Sequence, residues 1–389
     1  MRFFGHNYWK IFLIPLLSVF AFNSTNSGLI DFANAEDLFY YVISPDFKVN
    51  STSASVDEKT DRVYITDFFG GKLVVLDGKT NEIIESIDTV KTPFGVGVNS
   101  DTKTVYVGGE FANILFILNA TNNQLIKEIA LDDPYDIAVD SNSNTIYVTS
   151  DRLDLVYVID GNTNEVETSF EVLIPCGIAV NPLTGLVYVT SESENLVHVW
   201  DRKSNQEITT IKVQESPRGV TVNPQTNMIY VVNQESNTVS VIDGRQNTII
   251  ETVKVGEIPR RVVSDVQSNI IYVSNQGSKD ITVIDGMQNK VVKTIPVLEP
   301  FELAVNSKSG KLYSMYYGGE LSIVTKTNVQ YSPNKQIALG SDPQNIVCRE
   351  GLELIFKSSN LQPVCVKSTS IEKLIQRQWT SLENSNQLN

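Results

Sequence analysis

Residues 185–191 read "GLVYVTS". The same apolar, Tyr-centred stretch precedes it as "NTIYVTS" at 144–150 and follows it as "MIYVVN" at 228–233 and "IIYVSN" at 270–275. Used as a mark, the Tyr falls at Tyr64, Tyr106, Tyr147, Tyr188, Tyr230, Tyr272 and Tyr313, always 41 or 42 residues apart. Thirteen residues before each Tyr from the second on stands a Pro: Pro93, Pro134, Pro175, Pro217, Pro259 and Pro300. Ser51 holds that place in the first unit. Thirteen residues after the Tyr comes a turn former, Asp77, Asn119, Asp160, Asp201, Asp243 and Asp285, and the seventh unit slips to Thr325. Self-similarity at a fixed period of this length marks a repeat architecture.

Within a unit, Pro175 opens "CGIAVN", then a turn at "NPLTG", then "LVYVTS", a polar turn and "LVHVWD". A fourth run follows, such as "IIETVKV" at 249–255. Val, Ile and Tyr alternate with polar residues at period two, the pattern of half-buried strands. The aligned Asp is read as bonding the amides of the turn it opens. Four strands in about 42 residues, seven times over, predict an all-β chain: a seven-bladed β-propeller of four-stranded blades. Length varies only between the aligned Asp and the next Pro, which places insertions at the outer edge of a blade. Two segments are candidates to close the ring. "LFYYVIS" at 38–44 can add a fourth strand to the last blade, and "PQNIVC" at 343–348 resembles a further first strand. The second opens an eight-blade alternative, because Phe356 lies 13 residues after Pro343.

The chain ends differ from the repeats. Arg2 and Lys10 precede the 12 apolar residues "IFLIPLLSVFAF" at 11–22, fewer than the ~20 of a spanning helix. Ala33 and Ala35 then offer a cleavage site before Glu36. The expected organisation is a signal peptide at 1–35, a propeller at 36–342 and a small C-terminal module at 343–389. The protein is therefore expected to be secreted or at the cell surface, touching a membrane only if the N-terminal segment stays uncleaved. A net charge of −14 argues against nucleic acid as a partner.

In the tail, "LELIFK" and "PVCVK" suggest a hairpin, followed by a short helix over "IEKLIQRQW" capped by Ser370. Cys348 and Cys365 flank the hairpin and are expected to pair outside the cell. Cys176 is left over, read as a small packed side chain. "NST" at 50–52 and "NAT" at 119–121 are glycosylation sequons on Asn50 and Asn119.

The pentads, with "P-x-G-I-A-V-N" before them and "V-x-V-I-D-G" after, resemble the YVTN family of β-propeller repeats over roughly residues 40–342. The resemblance implies an archaeal secreted or surface-layer protein or a bacterial envelope protein. The tail resembles a short C-terminal module found on secreted proteins of ammonia-oxidising archaea.

Past residue 35 there is one His, His198, in the strand "LVHVWD". Imidazole pairs for a metal or haem are therefore absent, and no cofactor, metal site or catalytic residue is assigned. Binding remains, at the loops before each first strand and between the second and third strands. Blades one to three supply Phe68 within "DFFGG", Phe94, Phe111 within "EFAN", and Tyr135 and Asp136 within "DDPYD". Blades five and six supply Arg218, Arg260 and Arg261, and blade seven supplies Phe301, Glu302, Tyr316 and Tyr317. Aromatic rings beside carboxylates suit a glycan or peptide, and guanidinium groups suit a carboxylate or phosphate. The expected function is a binding or scaffold module for an extracellular protein or glycan. The alternative is a lactonase- or lyase-like propeller using rim carboxylates and a divalent metal.

Overall fold

The computed structural model describes residues 39–43, 48–89, 91–319, 321–327, 352–357, 362–377 and 379–381. The leader at 1–35, Cys348 and the segment 343–348 lie outside the described residues. The chain forms two compact units, Phe47–Leu321 and the paired termini Met1–Asp46 with Ser322–Asn389.

The periodic runs become strands where the pattern places them. In blade 4, Pro175–Asn181, Leu186–Ser191, Leu196–Asp201 and Gln206–Lys212 pair in that order as one antiparallel sheet. Blades 1 to 6 all follow this order, and the seventh sheet is completed by Phe39–Ile43. That N-terminal strand runs antiparallel to Leu321–Thr327, with Phe39 opposite Thr327 and Ile43 opposite Ile323. The fold is a seven-bladed, all-β propeller. Fourth strands lie at the solvent edge: in Gln206–Lys212 only Ile211 is buried.

The paired termini hold a separate three-stranded sheet, with Leu352–Lys357 between Gln362–Lys367 and Trp379–Ser381. Phe356 thus belongs to this sheet and not to an eighth blade. The helix spans Ser368–Ile375, and its N-cap position is Lys367, without a side-chain cap bond. Ser370 therefore sits inside the helix and does not cap it, and Trp379 falls in a strand. Cys365 is disulfide-bonded.

What joins the blades is the ruler Tyr. Tyr188 is fully buried and packs with Val197 and Val199 of its own blade and Val220, Ile229 and Val231 of the next. Tyr64, Tyr106, Tyr147 and Tyr230 bridge their blade pairs in the same way. An amide ladder adds a polar tie. Asn at the end of a first strand donates to the next blade's first turn: Asn99 to Asn144 (2.8 Å), Asn181 to Asn227 (2.6 Å), Asn223 to Asn269 (2.7 Å). Asn306 of blade 7 makes the same bond to Asp61 of blade 1 at 2.7 Å, so the ring closes by repeating its own contact.

One strained position recurs. The residue before each repeat Pro is left-handed: Thr92, Asp133, Ile174, Ser216, Ile258 and Glu299. A left-handed β-branched residue is unfavourable, and Ile174 and Ile258 occupy this conformation. Four of these turns are clamped from the loop between strands two and three. Asn113, Asp154, Asn195 and Asn237 accept the backbone N–H of Asp133, Ile174, Ser216 and Ile258, at 2.8–3.1 Å.

The hydroxyls of Tyr147 and Tyr313 are buried without a hydrogen-bond partner among the described residues. Removing an unsatisfied buried polar atom costs little or stabilises, whereas emptying a core aromatic site costs about 3–5 kcal/mol. Thermal melts should therefore show Tyr147→Phe and Tyr313→Phe at or above the wild-type Tm. Tyr147→Ala should lose several kcal/mol. A Tm drop for both Phe variants would show that the hydroxyls are satisfied.

Candidate functional site

The site is set by a bulge at the start of the first strands. In blades 2, 4, 5 and 6 the register slips by one residue between the repeat Pro and the third residue after it, as between Pro175 and Ile178. A bulge leaves a residue unpaired and re-aims its side chain. A hydroxyl of the pentad pins this backbone: Thr190 Oγ1 accepts the Gly177 N–H (2.8 Å) and donates to the Arg218 carbonyl of the next blade (2.7 Å). Thr149 accepts from Asp136 N–H at 2.9 Å and Ser274 from Arg261 N–H at 3.0 Å.

The residue directly after the Pro consequently faces the axis. In blades 2 to 7 these residues are Phe94, Tyr135, Cys176, Arg218, Arg260 and Phe301, and with Arg261 they line one cavity of about 30 Å³. The residue after that is Gly in blades 2, 4 and 5, where neighbouring backbones nearly touch. A Cβ on Gly177 would lie 2.2 Å from the Arg218 carbonyl oxygen, and one on Gly95 2.3 Å from that of Tyr135.

Blades 3, 6 and 7 carry Asp136, Arg261 and Glu302 in place of that Gly. These three charges find one another. Arg261 donates from Nη1 to Asp136 Oδ2 across the ring (2.8 Å) and from Nε to Glu302 Oε2 beside it (2.7 Å). Burial works against the Arg261 charge, but Asp136 and Glu302 outweigh it and hold the guanidinium well above its ordinary value. Burial pushes the Glu302 carboxyl up to about 7, against the pull of Arg261.

The fourth residue after each ruler Tyr forms a second column at the mouth, and its residues meet the axis-facing residues of the following blade. Glu192 of blade 4 accepts from Arg218 of blade 5 at 2.6 Å. Gln234 of blade 5 is the counterpart for Arg260 of blade 6, at 3.5 Å. Arg260 also lies over the Phe301 ring, 4.4 Å from its centroid, and makes no ion pair among the described residues. Burial, reinforced by Arg218 and Arg261, pulls its guanidinium below its ordinary value.

Next to this cavity runs a chain of aromatic rings. Phe94 stacks on Tyr135 at 4.3 Å. Phe68, itself buried, makes edge contacts with Phe94 at 6.2 Å and Phe111 at 6.3 Å. Tyr317 lies 5.4 Å from Phe69 and 5.7 Å from Phe301. Phe69 and Phe111 are 66% and 60% exposed, so the chain ends in open apolar surface. Arg152 covers Phe111 at 5.1 Å and donates from Nε to Asp133 at 2.6 Å. Around that pair, burial and then Asp133 and Asp151 push Glu110 up to about 7. Burial and the hydrogen bond with Asp133 push Asp151 up to about 6.

Of the residues singled out from sequence, Phe94, Tyr135, Arg218, Arg260, Arg261 and Phe301 share the cavity lining. Asp136 holds Arg261, Phe68 sits beneath the aromatic surface, and Phe111 is part of that surface. Cys176, Glu192 and Gln234 were missed, although their columns are visible once the Pro and Tyr are aligned. Cys176 donates its thiol to Glu192 at 3.2 Å, and burial pushes the thiol up to about 12, so it stays protonated. His198 is away from the mouth and buried, its Nε2 at 3.1 Å from Glu194 and Nδ1 at 3.2 Å from Glu207. In the sequons, Asn119 Oδ1 accepts the Thr121 N–H in a turn, and Thr52, which follows Asn50, is fully buried.

No family model matches the chain. No curated protein matches it. Among solved structures it is similar to a chain of Kuenenia stuttgartiensis hydrazine synthase, with a TM-score of 0.63 at 16% identity. The match covers 70% of this chain and 94% of that one. At that identity the likeness speaks for the fold alone, and it supports the β-propeller class.

Glu110 yields a prediction with a definite sign. Its folded-state value near 7 lies above the ordinary 4.5. The stability it contributes is therefore present below about pH 4.5 and lost as pH rises through about 7. Glu110→Gln, which cannot ionise, should melt with wild type near pH 4.5 and roughly 2 °C or more above it at pH 8. Parallel melting curves across that window, or wild type gaining on the variant, would refute this.

Proposed function

We propose that this chain is a YVTN-type propeller of an archaeal envelope, secreted or held at the cell surface. It works as a binding or scaffold module that takes an extracellular protein or glycan on the mouth of its channel. The leader-like segment and the Tyr ruler support the address and the family. The observation that carries the binding role is the convergence of non-repeating residues. Rings from blades 1, 2, 3 and 7 and guanidinium groups from blades 5 and 6 meet on one face, with Phe69 and Phe111 exposed beside them. Large exposed aromatic side chains clustered at a concave mouth are the usual anchors of a binding surface. Three of the carboxylates at the mouth speak against the metal-dependent hydrolase or lyase, because Asp136 and Glu302 are held by Arg261, and Glu192 by Arg218.

The test is surface plasmon resonance of the protein against arrayed glycans and envelope proteins, with a Phe69→Ala/Phe111→Ala double variant beside it. Both side chains are exposed, so the fold should survive. A partner of the wild type should bind the variant at least tenfold more weakly, about 1.4 kcal/mol. Equal binding by both proteins, or hydrolysis of lactones by the wild type, would reject the reading.

A further inference from the structure

Resting on the binding role of the channel mouth, we infer that its cavity takes a single carboxylate group carried on a flat or apolar body. Arg260 is the anchoring cation. The inference starts from the charge pattern of the two columns. Blade 4 neutralises Arg218 with Glu192, but blade 5 sets the neutral Gln234 against Arg260. Arg261 is satisfied by Asp136 and Glu302. Arg260 is therefore the excess charge of the mouth, and it is a mostly desolvated one. A guanidinium lowered by burial and by two like charges gains from one added anion. A second donor faces the same need: Arg218 Nε is buried without a partner among the described residues. Both arginines line the one cavity.

Charge count and size select the anion. Three guanidinium groups meet three carboxyl groups, Asp136, Glu192 and Glu302, of which Glu302 is only partly ionised near neutral pH. The surplus is less than one positive charge, so a phosphate dianion would overshoot and be repelled by the carboxylates already there. A cavity of about 30 Å³ has room for about two water-sized groups. A carboxylate head fits and a whole sugar ring does not. The walls specify what the head is attached to. Phe94 stacked on Tyr135, and Phe301 beneath Arg260, offer ring faces to a planar or aliphatic body.

The carboxylate can come from a small acid or from an acidic side chain of a bound protein. Titration calorimetry with the full chain at pH 7.5 separates these sources, using benzoate and N-acetyl-glutamate amide as probes and benzamide and inorganic phosphate as controls. Binding of either carboxylate, at least tenfold tighter than benzamide and phosphate, supports the inference and tells which source fits. Two variants report on Arg260. Arg260→Gln should lose at least tenfold in carboxylate affinity. Gln234→Glu, which supplies Arg260 with the partner that Glu192 gives Arg218, should abolish binding while keeping or raising Tm. The inference falls if neither carboxylate binds, if phosphate or benzamide binds as well, or if Gln234→Glu binds like wild type. Loss of partner capture in the Phe69/Phe111 variant together with failed carboxylate titrations would leave the binding module standing and remove only this assignment. Carboxylate binding without any arrayed partner would do the reverse.

Discussion

Everything at the channel mouth follows from how closely the first strands approach the axis. Neighbouring blades bring a carbonyl within 2.2–2.3 Å of where a Cβ would stand on Gly177 or Gly95. No side chain fits there if it points at the neighbour, which is why Gly recurs two residues after the Pro. Where the Gly is given up, the side chain has to enter the channel, and burying a lone charge there is prohibitive. Asp136, Arg261 and Glu302 resolve this together: the three charged departures from Gly neutralise one another across the ring. Such a buried triad adds little net stability, but breaking it by removing one member costs several kcal/mol. It ties blades 3, 6 and 7 together, with Arg261 itself in the cavity lining.

The repeating pentad is not separate from this site. Its Tyr and Val belong to the packing between blades, as the alternating pattern implies. Its Thr, however, reaches the bulged backbone, accepting from Gly177 and donating to Arg218 in blade 4. The bulge aims the axis-facing residue, and the hydroxyl holds the bulge. A strand element that touches no ligand thus fixes the direction of the side chains that would. The left-handed residue before each Pro, clamped in four blades, does the same for the incoming loop. Its strain recurs in six blades, which marks it as architecture and not as a device of one site.

Much of this was legible in the sequence. Two intervals of 13 residues around Tyr188 and its equivalents give blade number and strand order, and "LFYYVIS" was one of two candidates for the closing strand. Aligning the loops also placed Phe94, Tyr135 and the three arginines on one rim, since equivalent positions in a ring face the same axis, but not in contact with one another. The rest depends on contacts that a ruler does not measure. The Arg261–Asp136 bond joins residues 125 apart in blades that are not adjacent. The pairing of Glu192 with Arg218 runs from one repeat into the next, and is visible only when the Tyr column is set against the following Pro column. Ser370 looked like a cap on local grounds, but the helix starts three residues earlier than such a cap would set, because strand Gln362–Lys367 leads straight into it.

The departures from symmetry at the mouth fall in three columns, the two residues after the Pro and the fourth after the Tyr, and this bears on what kind of protein the ring supports. Tyr packing, the amide ladder and the bulge hydroxyls recur from blade to blade, including the bond that closes blade 7 on blade 1. They are indifferent to which side chain follows the Pro or sits four residues past the Tyr. Exchanging Gln234 for a carboxylate, or Phe301 for another ring, changes the charge and shape of the mouth without disturbing any contact that builds the ring. A catalytic site needs several groups held within about half an ångström of their productive geometry, and Asp136, Glu192 and Glu302 are committed to arginine. A recognition site needs only a complementary surface on a rigid frame. The unequal charges of blades 4 and 5, on otherwise equal scaffolding, are compatible with the second.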